Sequence, residues 1–491
     1  MSDGDASLLR TPSGVVRGRV DDAAGLVRFR GVPYAAAPFG SRRFRPPAAH
    51  PGWDGVREAV APGPTPLLPP MSATSSIPEP PTPGEDVLNL NITAPLHPAG
   101  PLPVYVWIHG GGYVSGSPNG GWFDGATLAR SGVVVVSITY RLGFEGFGHI
   151  PDAPDNRAVL DCVAALTWVR DTIEAVGGDP ARVTVGGQSA GGGLVLALLS
   201  SPLATGLFRA AVVHSAPLPD ARPDHAAQLG ERLAEQLGVT SHEVAGWREV
   251  PREAIVAAER ELGLGSTWSS LQALRNALTW RGPLTQFGPV IGTETVPDVL
   301  AALAQPDARP VLIGTTASEF NRTTAALERV LGSVTPRPVL ATVGLPAALT
   351  RAYPRAFPGR TAAQLLGQAL TDRAFRIGAL RVAMARAAAG TPAAVWDFRW
   401  HPADGLARHC IDLPFAWDAL HGDRVDLIAG DDPPAELAME MSSDIAAFVH
   451  TAVGPWPGWE PDAPTAKVYD VPSWVGRDPY RFERLALDVL P

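Results

Sequence analysis

Apolar runs punctuated by glycine and proline dominate the chain, and most of them do not alternate with polar residues. Val104-Tyr105-Val106-Trp107-Ile108 is hydrophobic on both faces, which predicts a central strand covered on both sides. Val133 to Tyr140, Val183 to Val185, Ala210 to His214, Arg309 to Ile313 and Ala394 to Trp400 predict further strands, and Gly14 to Gly18 and Val27 to Val32 predict strands near the N-terminus. Between these runs the period becomes helical. Asp155 to Val176 is amphipathic, with Asp155 as the expected cap and Gly177 as the stop. Residues 223–285 carry two or three helices, AAQLGERLAEQLG and PREAIVAAERELG among them, and Glu436 to Thr451 reads as a closing helix. Strands alternating with helices predict the α/β class, with a mostly parallel central sheet flanked by helices. The 223–285 segment breaks that alternation, so it is expected over the carboxyl edge of the sheet, where such folds bind ligands. Residues 63–84, rich in Pro, Ser and Thr, form a loop, read either as a mobile lid or as a passive surface segment. No internal repeat is evident, and the whole of 1–491 reads as one catalytic domain.

One strand-to-helix junction carries chemistry. Val183-Thr184-Val185 leads into Gly187-Gln188-Ser189-Ala190-Gly191, and a small-residue helix start follows. A G-x-S-x-G placed between a strand and a helix is a nucleophile elbow, a turn so tight that the positions two residues either side of the serine must lack side chains. The competing reading is a glycine-rich helix entry with a buried serine. Strand before, helix after and the absence of any second match favour the elbow.

A second segment fits the first. The strand Val104 to Ile108 runs into His109-Gly110-Gly111-Gly112-Tyr113. Acyl transfer creates an oxyanion that needs fixed N–H donors aimed at one point, and consecutive glycines let backbone donors come close. Gly111, Gly112 and Ala190, the residue after the serine, are the candidate donors. In isolation the triple glycine would pass for a flexible loop.

With these motifs the chain resembles the type-B carboxylesterases, the group of the cholinesterases and bacterial para-nitrobenzyl esterases, within the α/β-hydrolase superfamily. The resemblance also rests on Phe29-Arg30-Gly31-Val32-Pro33-Tyr34-Ala35, Arg43-Phe44, Glu85-Asp86-Val87-Leu88-Asn89-Leu90-Asn91, Tyr140-Arg141-Leu142-Gly143 and Gly177-Gly178-Asp179-Pro180. It spans nearly the whole chain. It implies an α/β-hydrolase fold with helical insertions over an active-site gorge, and a triad in the order Ser, Glu, His.

The family's G-T-x-x-x-E maps onto Gly314 to Glu319, after the short strand Val311 to Ile313, which makes Glu319 the implied acid. Glu328 and Glu294 lack that context, and a solvated loop carboxylate is the bland alternative for any glutamate. For the base, Arg408-His409-Cys410-Ile411-Asp412-Leu413-Pro414-Phe415 resembles the family's H-x-x-E-L-P-F, with Asp412 in place of glutamate. His409 is the implied catalytic histidine and His401 the runner-up. Ser189 then attacks, His409 takes its proton, and Glu319 orients the imidazole and offsets its charge. Activity is expected to rise through the ordinary histidine range. The resemblance also implies structural ion pairs of Arg43 with Glu85 and of Arg141 with Asp179.

Composition narrows the partners. A net charge of −9 gives no reason to expect nucleic acid or an anionic membrane as partner. The polar, acidic start Met1 to Pro12 lacks the basic and apolar regions of a secretory signal, and no apolar run has bilayer-spanning length. Two cysteines, Cys162 and Cys410, cannot build a disulfide framework, and a cytoplasmic location is expected. Cys410 beside the implied base admits a reactive-thiol reading, which Ser189 makes unnecessary. Neither a cofactor nor a metal is expected, and the partner is a small-molecule ester. The oligomeric state is left open.

Departures from the family bear on substrate. The residue before the serine is usually glutamate there, and here it is Gln188. The lost negative charge would weaken attraction for cationic esters, so neutral esters are expected. Phe287 resembles an acyl-pocket aromatic. Tyr113, Phe320, Phe415 and Trp417 are candidate gorge residues or, equally, plain core. Two other functions are compatible with the fold: acyl transfer to an alcohol on the same triad, and a non-catalytic binding role. The retained Ser189, Glu319 and His409 count against the second.

Overall fold

The computed structural model describes residues 7–67, 77–240, 243–264, 278–279, 283–488 and 490. The middle of the 63–84 loop and part of the 223–285 segment lie outside the described residues.

Among the described residues, eleven strands form the main sheet: β1 (Arg19–Asp21), β2 (Leu26–Pro33), β3 (Asn89–Pro95), β4 (Leu102–Ile108), β5 (Val134–Ile138), β6 (Gly178–Gln188), β7 (Ala210–His214), β8 (Val311–Thr316), β9 (Ala394–Phe398), β10 (Thr465–Tyr469) and β11 (Trp474–Arg477). Their order is β1-β2-β3-β5-β4-β6-β7-β8-β9-β10-β11. From β5 to β10 every pairing is parallel. The flanking strands at both edges are antiparallel. The predicted Gly14 to Gly18 strand belongs elsewhere, in a separate three-stranded sheet with Leu8–Thr11 and Val56–Glu58.

The non-alternating strands are explained by what covers them. Val104, Val106 and Ile108 of β4 join Val134, Val136 and Ile138 of β5 on one face. That face lies under the helices α1 (Arg157–Thr172), α2 (Ala190–Ser200) and α3 (Ile377–Ala388). Tyr105 and Trp107 point the other way, with Val212, Leu312 and Trp396, under α4 (Asp412–Ala416) and α5 (Ala435–Thr451). Each valine or leucine so buried contributes about 1.5–3 kcal/mol of hydrophobic free energy.

Helix α1 starts at Arg157, one turn's fraction later than expected, and Asp155 does not cap it. Asn156 precedes it in a left-handed conformation (φ 59°), and its side chain bonds the backbone of Val290 instead. Asp155 is drawn to His149 at 2.9 Å. The helix runs into a 3₁₀ turn, Ile173–Val176, and ends at Gly177 with φ 82°, the conformation glycine adopts without strain. Helices do form in the 223–285 segment: Pro223–Leu237, Val244–Arg248 and Arg252–Glu261. Trp247 packs on Phe144, whose chain follows the carboxyl end of β5, so these helices reach the carboxyl edge of the sheet.

Both expected ion pairs are replaced. Arg141 pairs with Asp161 of α1 at 2.6 Å, both groups buried. Asp179 cannot reach it, since Arg141 follows the carboxyl end of β5 while Asp179 begins β6, at the opposite edge of parallel strands. Asp179 accepts instead from the Ala181 N–H. Arg43 pairs with Glu145 at 2.8 Å and donates to the carbonyls of Trp247, Arg248 and Val250, while Glu85 is exposed.

Candidate active site

Sheet register brings the candidate residues to one edge. Ile108 pairs with Gly187, Gln188 with His214, and His214 with Gly314. The carboxyl ends of β4, β6, β7 and β8 therefore lie side by side, and the segments leaving them meet.

Ser189 follows β6 with φ 54° and ψ −124°, a strained conformation for a residue with a side chain. Two hydrogen bonds hold it: its N–H donates to His214 O at 2.9 Å, and its carbonyl accepts from Gly193 N–H at 2.9 Å. The glycines of the motif are sterically required. A Cβ on Gly191 would stand 2.0 Å from Ile108 O, and one on Gly187 would stand 2.5 Å from the Gly191 carbonyl carbon. Helix α2 can thus press against β4 only because these positions are bare.

The glycine loop after β4 bends beside the serine. Gly111 has φ 116°, and its carbonyl accepts from the Ser115 N–H at 2.9 Å and the Ser115 hydroxyl at 2.8 Å. Among the described residues, the N–H groups of Gly111, Gly112 and Ala190 have no acceptor within the protein. Gly112 and Ala190 line a pocket together with Ser189. His109 in this loop is buried and stacked on Tyr140 at 4.5 Å, and burial pushes its pKa down to about 4.

His409 Nδ1 lies 2.5 Å from Glu319 Oε2. The other carboxylate oxygen accepts from the Thr316 N–H at 2.8 Å, and the His409 N–H donates to the Glu319 carbonyl at 3.0 Å. The two residues are thus locked side by side through side chain and backbone. Burial opposes a charge on the imidazole. Electrostatic and hydrogen-bonding interactions with Cys410 and Glu319 outweigh it, and the His409 pKa is raised well above its ordinary value. His401 is exposed, with its ring nitrogen 2.9 Å from the Pro402 carbonyl, and Glu328 accepts a hydrogen bond from Thr361.

The pocket residues divide. Tyr113 and Phe320 line the Ser189 pocket. Phe415 packs in the opposite layer against Phe398 and Trp400, and Trp417 sits there with Trp107 and Phe123. Phe287 is buried in the core and does not line the pocket. Gln188 is 2% exposed and lies behind the serine, its amide nitrogen 3.2 Å from both His409 Nε2 and Cys410 Sγ. It therefore touches the histidine and does not face the pocket. Cys162 and Cys410 are free thiols.

Sequence reasoning missed several residues. Phe375 stacks on His409 with ring centroids 4.6 Å apart, and Ala374, Leu284 and Thr285 complete the apolar wall. They carry no motif and arrive from distant segments. His214 and Asp412 form a fully buried pair at 2.8 Å directly beneath the elbow, which accounts for the acid in the histidine motif. The family pattern flagged Asp412 but gave no partner for it. Among the described residues no cluster of three His, Cys, Asp or Glu side chains could hold a metal, and no helix is long and apolar enough to cross a membrane.

A strained serine between a parallel strand and a helix, beside a glycine loop on the adjacent strand, places the molecule among the α/β-hydrolases. Within that class the chain belongs to the carboxylesterase family, whose sequence profile matches residues 5–336. It is 31% identical over 514 aligned positions to the para-nitrobenzyl esterase of Bacillus subtilis (strain 168), covering 98% of each chain. Similarity to the fumonisin B1 esterase of Sphingopyxis macrogoltabida is 32% over 460 positions, covering 89% of this chain and 77% of that one. Among solved structures, a Geobacillus stearothermophilus carboxylesterase at pH 6.2 superposes with a TM-score of 0.83 at 32% identity, covering 98% of this chain and 99% of that one. The protein is a carboxylic-ester hydrolase.

Proposed function

We propose that Ser189, His409 and Glu319 hydrolyse carboxylic esters that are uncharged at the reacting centre, through an acyl-serine intermediate. The carrying observation is the His409–Glu319 contact of 2.5 Å beside a pocket that holds Ser189 and the unpartnered N–H groups of Gly112 and Ala190.

With Nδ1–H engaged by Glu319, the imidazole presents Nε2 as its acceptor. In the resting arrangement that nitrogen faces the Gln188 amide, so it must turn to the Ser189 hydroxyl for attack. His409 takes the hydroxyl proton as Ser189 Oγ bonds to the ester carbon. The carbonyl oxygen becomes an oxyanion, met by the N–H groups of Gly112 and Ala190, with Gly111 next to them. The imidazolium then protonates the leaving alcohol, and the carbon–oxygen bond of the ester breaks. Water repeats the sequence on the acyl-serine and releases the acid. Glu319 keeps its proton count throughout and offsets the charge on His409. The apolar wall of Phe320, Phe375 and Leu284 favours an uncharged group at the reacting centre.

The test is Ser189→Ala. Hydrolysis of para-nitrophenyl butyrate should fall by at least about 10³-fold with the fold retained, and a fluorophosphonate should label wild type but not the variant. Turnover at the wild-type rate in the alanine variant would overturn the assignment.

A further inference from the structure

Next to the Ser189 pocket lies a second, larger cavity that the mechanism does not use. The Ser189 pocket holds about 30 Å³, and its neighbour about 590 Å³. One chain thickness separates them at three places. Pro217, Leu284 and Ala374 line the first, and their chain neighbours Leu218, Pro283 and Arg373 line the second. The split at residues 373 and 374 comes from a π-turn, Asp372–Arg376, inserted between two α-helices. Such turns shift successive side chains out of α-helical register and recur at functional sites.

The charges in this second cavity are uneven. Arg373 and Arg381 lie in its wall; burial lowers the pKa of both, and Arg381 lowers that of Arg373 further. Arg373 pairs with Asp220 at 3.4 Å, and Asp220 also accepts from the Leu284 N–H at 3.2 Å, so that carboxylate is already matched. Arg381 is half-buried and has no acid or hydrogen-bond partner among the described residues. The His225 ring bonds the Gln286 backbone, and its Nε2 is buried with no hydrogen-bond partner among the described residues. Arg222 and Asp224 are exposed at the rim and oppose one another. A guanidinium that faces a cavity and has no acid beside it is open to an incoming anion. Its planar donor fork suits a carboxylate.

We infer that this cavity receives a carboxylate carried by the substrate, so that the ester bond lies at Ser189 while an acid group several bonds away reaches Arg381 and Arg373. The inference rests on Ser189 as the reacting residue. The substrate class is an ester bearing one free carboxylate, either the half-ester of a dicarboxylic acid or the ester of a hydroxy acid. It does not conflict with an uncharged reacting centre, because the two groups occupy different chambers.

The experiment measures kcat/KM for mono-para-nitrophenyl esters of C4 to C10 dicarboxylic acids, each against the para-nitrophenyl ester of the monocarboxylic acid of equal length. A second arm uses butyryl esters of hydroxy acids against butyryl esters of the matching alkanols, and shows on which side of the ester the carboxylate lies. In wild type one chain length in one arm should favour the charged member by about tenfold or more. Arg381→Gln should cut that ratio at least about tenfold, chiefly through KM, and changes common to both substrates cancel in it. Asp220→Asn, which removes a carboxylate that competes for Arg373, should raise the ratio. Ratios equal within twofold in wild type and Arg381→Gln, at every length in both arms, would overturn the inference. Survival of neutral-ester hydrolysis in Ser189→Ala would instead overturn the assignment of the nucleophile, so the two failures are distinguishable.

Discussion

The side chain on which the proposed chemistry turns is His409, and its environment pulls in two directions. Burial disfavours its charged form, while Glu319 at 2.5 Å and adjacent Cys410 favour it, with a net upward shift. A general base must be neutral, so activity is low below the histidine's pKa and rises through it. The upward shift puts that rise above the ordinary histidine range near 6.5, where the motif alone would have put it. The pH profile of kcat/KM on para-nitrophenyl butyrate checks this, and a limb at or below pH 6.5 contradicts it. Glu319→Gln removes the stabilising carboxylate, so the limb should move to lower pH while kcat falls by about 10²–10⁴-fold. Gln188→Glu should do the opposite to the limb, because residue 188 lies 3.2 Å from His409 Nε2 and out of the pocket. A changed preference for cationic over neutral thioesters in that variant would show that residue 188 reaches the substrate after all.

At the scale of elements, the elbow works because helix α2 is seated directly on β4. Gly191→Ala would drive a Cβ to 2.0 Å from Ile108 O, which is backbone and cannot swing aside. The helix would have to lift, taking Ala190 and its N–H with it. Stability should fall by about 1–3 kcal/mol, as for other overpacked sites, with kcat falling in parallel. Thermal unfolding and kinetics on one preparation test both halves. The buried His214–Asp412 pair joins the strand that holds Ser189 N–H to the helix that follows His409. Asp412→Asn weakens a bond that neither water nor another side chain can replace, since both groups are fully buried. A loss of about 1–3 kcal/mol in urea unfolding is expected.

Across the whole molecule, one arginine ties distant segments together. Arg376, on the π-turn, donates to Asp397 of β9 at 2.7 Å, pairs with Glu483 near the C-terminus, and lies 3.8 Å from Asp372. All four are buried. Burial opposes the charge on Arg376, but Asp397 and Glu483 raise its pKa well above the ordinary value, so the guanidinium stays charged. Arg376→Gln would leave Glu483 and Asp372 without their cation and Asp397 with Arg399 alone. A destabilisation of about 3–5 kcal/mol is expected from chemical denaturation, far beyond the effect of losing an exposed pair such as Arg17–Glu58. The same turn positions Phe375 on His409 and Arg373 in the outer cavity, so activity should suffer with stability.

The sequence by itself determined what is local or strictly patterned. Doubly apolar strands such as Val104 to Ile108, the glycines about Ser189 and the stop at Gly177 follow from rules acting over a few residues. Glu319 and His409 were legible only because each sits in a short motif at a strand end or before Leu413-Pro414-Phe415. What depends on which surfaces meet was decided by the tertiary structure. Arg141 found Asp161 because parallel strands put Asp179 at the far edge. Phe415 and Trp417 went to the opposite face of the sheet, though their aromatic character is the same as that of Phe320. Gln188 turned toward His409, and Phe375 and Arg381 reached their cavities from a π-turn and the helix that follows it. Side-chain chemistry is written in the chain, but the partner of each group is set by strand order, crossover and packing, which no window of residues contains.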